Sequence, residues 1–451
     1  MGIANRIDSI LATAVEWAWG PPLLVLVLGG GLWLTVYVRF LPLLRLPHAL
    51  RILRGDYDRS DDPGQISHLQ ALSTALASTI GIGNIGGVAI AITQGGPGAV
   101  FWMWAAALVG MATKFFTCTL AVMYRGRDSA GELQGGPMYY IEEGLGRQWR
   151  FMGVFFALCG LVGCLPMFQA NQMAEILHQS YSVPPWVTGA VAVMTVAAVA
   201  WGGIVRIGEV ASRLVPSMCL IYLFGCLWVV GANFAMIPEI FKQILHDAFN
   251  GTAATGAMAG IGFATVVRVG VRRAAFSNEA GVGTAPMAHG AAKTKEPVRE
   301  GLVAMLGPFI DTIIVCSLTA FVILSSGLWM TQGVEGVSLT SRAFSSVMGS
   351  AGPIMLTFVV VLFGASTMVG YSYYGRKCFI YLFGAEHGRW YEFFYLGGIF
   401  VGALWSRQAA INLLDIMFVM MALPNMIATL LLSPRVVAET RRYFRRLEER
   451  A

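Results

Sequence analysis

The amino-acid sequence predicts an all-α polytopic membrane protein of about eleven transmembrane helices: one extra N-terminal helix, then two inverted five-helix repeats with broken first helices. Three observations support this fold class. Of the 451 residues, 56% are hydrophobic and only 12% are charged, whereas soluble domains carry about 25% charged residues. Apolar stretches of roughly 20 residues, the length that crosses a bilayer, recur along the chain. Two of these stretches are interrupted by glycine-rich polar sequence.

The apolar stretches predict where the spans lie. A first span at about 21–40 follows a short amphipathic start, Ile7–Trp19, that we expect at the membrane interface. Two sets of five spans follow, separated by an amphipathic stretch at 239–249: 68–93, 99–123, 151–178, 185–203 and 214–235, then 262–292, 300–328, 353–374, 391–406 and 410–432. The expected division is an N-terminal segment with its helix and basic loop, two five-helix repeats and a basic tail: 1–60, 61–238, 239–434 and 435–451.

The distribution of Lys and Arg predicts the orientation. Basic residues concentrate in every second connection, beginning with the first, and again in the C-terminal run Arg441–Arg446. By the positive-inside rule these segments are cytoplasmic and the N-terminus is outside. The tail and the net charge of +6 are therefore interpreted as an orientation signal, and no nucleic-acid partner is expected. Because each set has an odd number of spans, the second enters the membrane inverted relative to the first, as in many transporters.

The two interrupted spans carry related sequences. Ser78–Gly87 reads STIGIGNIGG, and Asn278–Ala285 reads NEAGVGTA at the corresponding place in the second set. Unwinding a helix at membrane depth leaves backbone groups that protein, ligand or ion must satisfy. Freed carbonyls suit a small cation, and amides at the start of the next half-helix suit a carboxylate. The pair indicates a transporter with a site near the bilayer midplane; the alternative is that the glycines only permit close helix packing.

Two of the acidic residues within the predicted spans, Glu279 and Asp311, are candidates for a functional role. An ionisable group at membrane depth is a functional hypothesis by default because it needs a partner. Glu279 could form a structural ion pair with Arg272 or Arg273, bind a proton or sodium, or accept hydrogen bonds from unwound backbone. Asp311, which follows Pro308, is interpreted as structural or gating.

Neutral oxygen-bearing residues offer a second set of candidates. Ser366 and Thr367 follow Phe363 by three and four residues, so both hydroxyls and the Phe363 carbonyl can face one point, an arrangement of oxygens that suits a hard cation. The alternative is that the hydroxyls bond back to their own helix. Gln169 and Asn171 lie in the apolar context PMFQAN, where interhelical hydrogen bonding is the alternative to a binding role.

Enzyme signatures are missing from the sequence. It holds no HExxH, GxSxG or GxxxxGK[ST] motif, and its seven cysteines form no CxxC pair. The six histidines fall mainly near loops or span ends. We therefore expect a protein that is not an enzyme and that holds no metal centre or disulfide framework.

At these residues the sequence resembles the alanine/glycine:cation symporter family, also called sodium:alanine symporters. The resemblance spans nearly the whole chain, and its motifs are GIGNIGGVAIAITQGGPGAVFWMWAAALVGMATKF (81–115), GGPMYYIEEGLG (135–146), FSNEAGVGTAPMAHGAAKT (276–294), IDTIIVC (310–316) and FGASTMVGYSYYG (363–375). It implies a leucine-transporter-like fold and sodium-coupled import of alanine, glycine or a related amino acid by alternating access. The implied location is the cell (inner) membrane, as a monomer.

The resemblance also implies the site residues. Substrate contacts would fall on Thr79, Gly81, Gly83, Asn84, Gln169, Phe276, Ser277 and Tyr371. The co-transported ion, Na⁺, would be held by the carbonyls of Ala77 and Ile80 and the hydroxyls of Ser366 and Thr367, and Asn84 could serve a second ion instead. We further expect coupling or gating roles for Asn278, Glu279, Arg273 and Asp311.

Three departures from the family pattern bear on specificity. Tyr371 stands where the family typically has an indole, Arg273-Ala274 replaces Arg-Gly, and Arg272 is an additional arginine. A smaller, hydroxylated ring could admit a larger or more polar side chain, and the added positive charge would suit an acidic or polar substrate. Two alternatives remain at this stage: a proton-coupled amino-acid transporter of altered specificity, acting through Glu279, and a passive channel.

Overall fold

The chain folds almost entirely as helices. The structure, a computed structural model, describes residues 11, 13–59, 61–250, 262–331, 333–334 and 336–449. Strands in these residues are confined to one short antiparallel hairpin, β1 (Gly126–Arg127) and β2 (Leu133–Gln134). The all-α prediction is therefore confirmed for the part of the chain that is described.

The N-terminal segment packs one face against the rest of the protein. Residues 13–18 are helical; the earlier part of the predicted amphipathic start, 7–10, and position 12 lie outside the described residues. Trp19 is buried and its Nε1 donates to the Asp415 carbonyl at 3.2 Å, whereas Trp17 is 85% exposed. Helix α1 and, after a turn at Leu41–Leu44, helix α2 follow: Pro21–Tyr37 and Leu46–Leu53.

The first predicted repeat begins with a broken helix. Its two halves are bent by 52° and are followed by five further helices. In order these are α3 (His68–Thr79), α4 (Gly83–Gly95), α5 (Gly98–Met123), α6 (Arg150–Gly163), α7 (Met167–Tyr181), α8 (Pro185–Ala200) and α9 (Gly203–Ala232). Short turns at Pro137–Tyr139, Tyr140–Leu145 and Arg147–Trp149 precede α6. The predicted span 151–178 is interrupted before Met167, where Pro166 cannot donate a helical hydrogen bond.

The second predicted repeat also has a broken helix before its long helices. The amphipathic α10 lies at its start, and α14 is an additional helix without a counterpart in the first repeat. The bounds are α10 (Ile237–Asn250), α11 (Phe263–Asn278), α12 (Ala285–His289), α13 (Pro297–Ser326), α14 (Gly336–Met348), α15 (Ala351–Phe383), α16 (Gly388–Leu404) and α17 (Arg407–Glu448). Single turns lie at Phe234–Met236, Leu328–Met330 and Ala385–His387.

The helices agree with the predicted spans. In the described residues, six helical segments are long and apolar enough to cross a membrane. If the bent pair α3–α4 is taken as one span, the number is seven. Helices α1, α8, α11–α12 and α16 occupy the remaining predicted spans, so the structure is consistent with eleven. Helix α17 runs to Glu448, so most of the predicted tail is helical and only 450–451 lie outside the described residues.

Helix α5 passes through the interior beside both broken helices. In the most apolar stretch of α5, 83% of the residues are buried, whereas in that of α9 only 39% are. Large apolar side chains of α9 are therefore exposed. Glycines permit the close approach: a β-carbon at Gly110 would be 2.7 Å from the β-carbon of Ala280, and one at Gly301 would be 2.6 Å from the Phe115 carbonyl oxygen. The second interruption and α13 are thus packed tightly on α5.

Candidate substrate and ion site

The first interruption lies between α3 and α4. Ile80 leaves the helical conformation, with φ −73° and ψ 98°. Asn84 Oδ1 accepts a hydrogen bond from the Gly81 amide at 2.8 Å and so replaces a lost helical bond. A β-carbon at Gly81 would be 2.4 Å from Thr367 Oγ1. The close approach of α15 therefore requires a glycine here, and the break and α15 are packed as one unit.

The second interruption, residues 279–284, is held open by side chains. Glu279 has φ 54° and Gly281 has φ 89°, left-handed conformations that end the helix. Asn278 Oδ1 accepts from the amide two residues later at 2.9 Å. Asn425 of α17 donates to the Gly281 carbonyl at 2.6 Å. The freed backbone groups thus obtain partners inside the protein, as unwinding at membrane depth requires.

Asp311 joins the two interruptions. It is fully buried and lies on a π-helical turn of α13, Phe309–Cys316, a distortion that is frequent at functional sites. Asn84 Nδ2 donates to Asp311 Oδ1 at 2.7 Å. Ser277 Oγ and Thr312 Oγ1 donate to Asp311 Oδ2 at 2.8 and 2.7 Å. One carboxylate therefore connects α4, α11 and α13 at the point where both helices break.

Aromatic rings form an apolar wall beside the breaks. The Phe276 ring meets the Phe168 ring edge to face, with centroids 5.3 Å apart, and lies 5.8 Å from the Phe418 ring. A β-carbon at Gly83 would be 3.4 Å from the Phe276 ring, so the space between them is narrow. Gln169, next to Phe168, is buried, and its Oε1 has no hydrogen-bond partner among the described residues.

The Ser366 and Thr367 hydroxyls face the first break. Both donate to the Phe363 carbonyl at 2.9 Å, as the helix-bonding alternative expected. Ser366 Oγ also lies 3.4 Å from the Ala77 carbonyl oxygen of α3, and Ile80 follows directly after the end of that helix. The two hydroxyl oxygens and the carbonyl oxygens of Ala77 and Phe363 therefore lie close together between α3 and α15.

Glu279 is bound by hydroxyl groups. Thr284 and Tyr371 both donate to its carboxylate, which is buried. Tyr371 belongs to α15, one turn after Thr367, so the same helix contacts both interruptions. The Tyr371 hydroxyl is directed at the second break.

Arg272 and Arg273 pair with Asp415, so the interpretation that either forms an ion pair with Glu279 is wrong. Arg273 Nη2 lies 2.5 Å and Arg272 Nε 2.9 Å from Asp415 Oδ2. The Arg273 guanidinium also lies over the Phe276 ring, 5.1 Å from its centroid. Asp415 belongs to α17, far away in sequence, so the residues around Glu279 could not indicate this pairing.

Replacing Asp415 is expected to destabilise the protein strongly. Asp415→Ala leaves the buried guanidinium of Arg273 and the partly buried one of Arg272 without a counter-charge, and breaking a buried pair costs about 3–5 kcal/mol. Thermal unfolding of the purified protein in detergent measures the loss. The control is Glu239→Ala, because Glu239 and Lys242, 81% and 77% exposed, form a surface pair at 3.9 Å that contributes about 1 kcal/mol or less. Equal shifts in the two variants would contradict the assignment.

A second buried carboxylate joins the far ends of the broken helices. His68, the first residue of α3, and His289, the last of α12, both direct Nδ1 at Glu300 of α13, His289 at 2.5 Å. Arg125 adds a hydrogen bond from Nε to the Gly290 carbonyl at 2.8 Å. Both broken helices are therefore tied together at the end that the basic connections predict to be cytoplasmic.

The side chains of two polar candidate residues, Thr79 and Asn171, form hydrogen bonds with backbone carbonyls rather than with the groups at the breaks. The Thr79 hydroxyl donates to the Ala75 carbonyl of its own helix at 3.1 Å. Asn171 Nδ2 donates to the Trp405 carbonyl at 2.7 Å, which is the interhelical bond given as its alternative role.

Sequence reasoning missed several residues that complete this arrangement. Asp415 and Asn425 each stand in the apolar sequence of the final span, and Glu300 lies at the start of α13. The rule that singles out Glu279, that an ionisable residue at membrane depth has a functional partner, applies equally to Asp415. Thr312 carried no comparable signal, because a hydroxyl in a membrane helix usually bonds to its own backbone.

Two broken helices that meet around buried polar groups in an all-helical membrane protein define the architecture of a secondary transporter. The model of the sodium:alanine symporter family matches residues 4–451. The chain therefore belongs to this family, and it is a transporter rather than an enzyme.

Individual relatives agree with this assignment. The sodium/alanine symporter AgcS of Methanococcus maripaludis is 42% identical over 443 residues, which cover 96% of this chain and 97% of the relative. An uncharacterized transporter of Haemophilus influenzae is 40% identical over 450 residues, which cover 98% of this chain and 97% of the relative. The probable sodium/glutamine symporter GlnT of Bacillus subtilis is 34% identical over 444 residues, which cover 97% of this chain and 91% of the relative.

A solved structure shows the fold. The crystal structure of MhsT in complex with L-phenylalanine superposes with a TM-score of 0.60 at 13% identity, and the match covers 81% of this chain and 89% of that one. Together with the helix order and the two breaks, this likeness confirms the predicted fold class.

Proposed function

We propose that the protein is a sodium-coupled symporter that imports small neutral amino acids by alternating access. The observation that carries the proposal is the position of two hydroxyls of α15 at the first break: Ser366 Oγ lies 3.4 Å from the Ala77 carbonyl, and Thr367 Oγ1 lies against Gly81. A site made of neutral oxygens on two separate helices binds a hard cation only when both helices are in place. Sodium would therefore stabilise the arrangement in which the amino acid also binds.

The proposed sodium ligands are the carbonyls of Ala77 and Ile80 and the hydroxyls of Ser366 and Thr367. Removing a hydroxyl, in Ser366→Ala or Thr367→Ala, is expected to raise the sodium concentration for half-maximal uptake by about tenfold or more, because contacts to an ion contribute about 1.5–3 kcal/mol each. Uptake measured across a sodium series tests this.

The control for this prediction is Ser372→Ala. Ser372 is a buried serine of the same helix whose hydroxyl donates to the Val369 carbonyl of α15 at 2.6 Å. Its removal leaves the proposed ligands intact, so the sodium dependence is expected to stay as in the wild type. If all three variants shift the sodium dependence equally, the proposed ion site is wrong.

The proposed substrate site lies beside the ion site. Its members are the backbone and side chains around the two breaks: Thr79, Gly81, Gly83, Asn84, Gln169, Phe276, Ser277 and Tyr371. The half-helix that begins at Gly83 points its positive end at the gap, which favours a carboxylate. The Gln169 Oε1 atom, buried without a described partner, suits an ammonium group. The narrow space between Gly83 and the Phe276 ring favours a small side chain such as that of alanine.

Asn278, Glu279, Arg273 and Asp311 are proposed to couple the site to the surrounding helices. Asp311 connects the two breaks, and Glu279 connects the second break to α15 through Tyr371. Asn278 Nδ2 donates to Thr312 beside Asp311 at 2.9 Å. Rocking of one helix group against another would have to rearrange these bonds, which makes them suitable coupling points for alternating access.

The proposed placement of the chain follows its basic connections. The N-terminus lies outside and the C-terminal helix ends in the cytoplasm, in the cell membrane. Residues 61–238 and 239–434 form the two inverted repeats, and the protein works as a monomer. The joined ends of α3, α12 and α13 around Glu300 then form the cytoplasmic closure of the site.

Proton coupling through Glu279 is the second candidate. Glu279 is a buried carboxylate bound by two hydroxyls, Thr284 and Tyr371, and such a group could carry a proton in place of a co-transported ion. In that case Glu279→Gln would abolish uphill transport while leaving amino-acid binding independent of sodium.

Binding equilibria test the sodium proposal directly. Coupling between two ligands is reciprocal, so sodium must tighten amino-acid binding by the same factor as the amino acid tightens sodium binding. We expect isothermal titration to show tighter alanine binding in sodium than in choline buffer. Equal alanine affinity in the two buffers would reject sodium coupling.

A further inference from the structure

Five arginines surround two adjoining cavities. The first lies between the end of α1, the turn after it and α17, and the second lies between α2, the start of α13 and the C-terminal end of α17. The first cavity, of about 250 Å³, has Arg39, Arg45 and Arg441 in its wall. The second, of about 560 Å³, has Arg45, Arg51 and Arg299. Because Arg45 lines both, we treat them as one site and call it the arginine cavity.

The positive charge of the arginine cavity is not neutralised within the described part of the chain, where none of the five arginines has a carboxylate oxygen within 4.0 Å. The nearby acids Glu296 and Glu439 pair instead with Arg446 and Arg442. Arg299 is only 8% exposed; its Nη1 donates to the Tyr57 carbonyl at 3.1 Å, but its Nε has no hydrogen-bond partner among the described residues. A buried guanidinium without a counter-charge is costly unless an anion approaches it.

His48 lies in the wall of the second cavity, close to three of the arginines. Its pKa is lowered by burial and then by the guanidinium groups of Arg45, Arg299 and Arg51. The ring is held in place by a 2.8 Å hydrogen bond between Nε2 and the Tyr443 hydroxyl. The cavity thus combines a concentrated positive field with fixed walls.

Apolar side chains connect the arginine cavity to the membrane. Leu44, which lines both cavities, is 72% exposed. Phe40, Val36 and Trp33 continue this exposed apolar surface along α1. A soluble anion would not contact this surface, whereas the acyl chains of a lipid would cover it. The combination favours a ligand with an anionic head and apolar tails.

We propose that the arginine cavity binds the phosphate of an acidic phospholipid from the cytoplasmic leaflet, with the acyl chains lying along the exposed face of α1. Basic pockets on the cytoplasmic side of membrane helices bind such head groups, and arginine matches phosphate through paired hydrogen bonds. The lipid would bridge the first connection, α13 and α17. The inference adds a lipid site to the transporter and depends on its proposed orientation.

Native mass spectrometry of the full-length, delipidated protein titrated with dioleoylphosphatidylglycerol tests the proposal. We expect one tightly held lipid, and weaker binding of the zwitterionic dioleoylphosphatidylethanolamine. Arg45→Gln/Arg441→Gln is expected to weaken the first binding event by about 25-fold, from about fivefold for each arginine near the surface. Both side chains are exposed, so folding is expected to be unaffected.

Two controls make the result specific. Arg54→Gln removes an exposed arginine of the same connection that lines neither cavity and is expected to leave the affinity unchanged. Arg45→Lys keeps the charge and is expected to retain most of the binding. Equal losses in Arg54→Gln and the double variant would overturn the proposal. Glycerol phosphate that binds as tightly as the lipid would also overturn it, because the site would then belong to a soluble phosphate.

Discussion

Gly81→Ala is expected to reduce sodium-dependent uptake by at least about tenfold, because forcing atoms into a closely packed interior costs about 1–3 kcal/mol. The new β-carbon would lie 2.4 Å from Thr367 Oγ1, one of the proposed sodium ligands. Relief requires that α15 move away from the first break or that the Thr367 hydroxyl turn away from Phe363. Either change disturbs the ion site without altering any charge. Uptake of labelled alanine into proteoliposomes measures the effect.

Gly87→Ala is the matched control. Gly87 belongs to the same broken helix, about one turn and a half further on, and a β-carbon there meets no described atom within 4 Å. We expect wild-type uptake from this variant at the same amount of folded protein. If Gly81→Ala transports as well as Gly87→Ala, the close contact between the break and α15 is not important for transport.

Asp311→Asn is expected to reduce uptake by at least about tenfold while leaving a folded protein. The carboxylate accepts hydrogen bonds from Asn84, Ser277 and Thr312. An amide keeps one oxygen, but its nitrogen cannot accept a hydrogen bond. Buried donors therefore lose an acceptor, and each unsatisfied donor costs about 1–3 kcal/mol of free energy. The link between the two breaks is weakened as a result. Size-exclusion chromatography and uptake in the same preparation separate folding from transport.

An exchange of the two side chains provides a stricter test. In Asn84→Asp/Asp311→Asn the new carboxylate at position 84 accepts from the Gly81 amide and from the new amide at 311. The remaining oxygen at 311 then accepts from Ser277 and Thr312. Because the Gly81 amide and the Ser277 and Thr312 hydroxyls have acceptors again, we expect the double variant to transport better than either single variant. Uptake no higher than in the worse single variant would show that this bond network is not what couples the breaks.

Much of the site could be predicted because its signals are local. A run of glycine and polar residues in an apolar stretch requires unwinding, so STIGIGNIGG and NEAGVGTA located both breaks. The helical spacing of Ser366 and Thr367 indicated that their hydroxyls share a face with the Phe363 carbonyl. Each of these inferences depends on neighbours within a few residues, and the structure has the same local geometry.

The long-range contacts could not be predicted. The sequence places Asp311 within a span, but its partner Asn84 lies 227 residues away in sequence, and no local pattern indicates that pairing. Arg273 similarly finds Asp415 at a separation of 142 residues. Helix α14 was missed for a different reason. Gly336–Met348 has only 13 residues, and Ser and Arg residues alternate with its buried apolar ones, so it is too short and too polar for a criterion built on bilayer-spanning stretches.

Accumulation of labelled alanine in proteoliposomes with an imposed inward sodium gradient tests the central claim most directly. The account predicts uptake above the equilibrium level that saturates with alanine, disappears when choline replaces sodium, and is reduced by unlabelled small neutral amino acids. If the uptake depends on sodium but the substrate is a different amino acid, such as glutamine, the proposed sodium coupling holds and the proposed substrate is wrong. Flux that never exceeds equilibrium and does not saturate, or accumulation driven by a proton gradient alone, would contradict sodium symport.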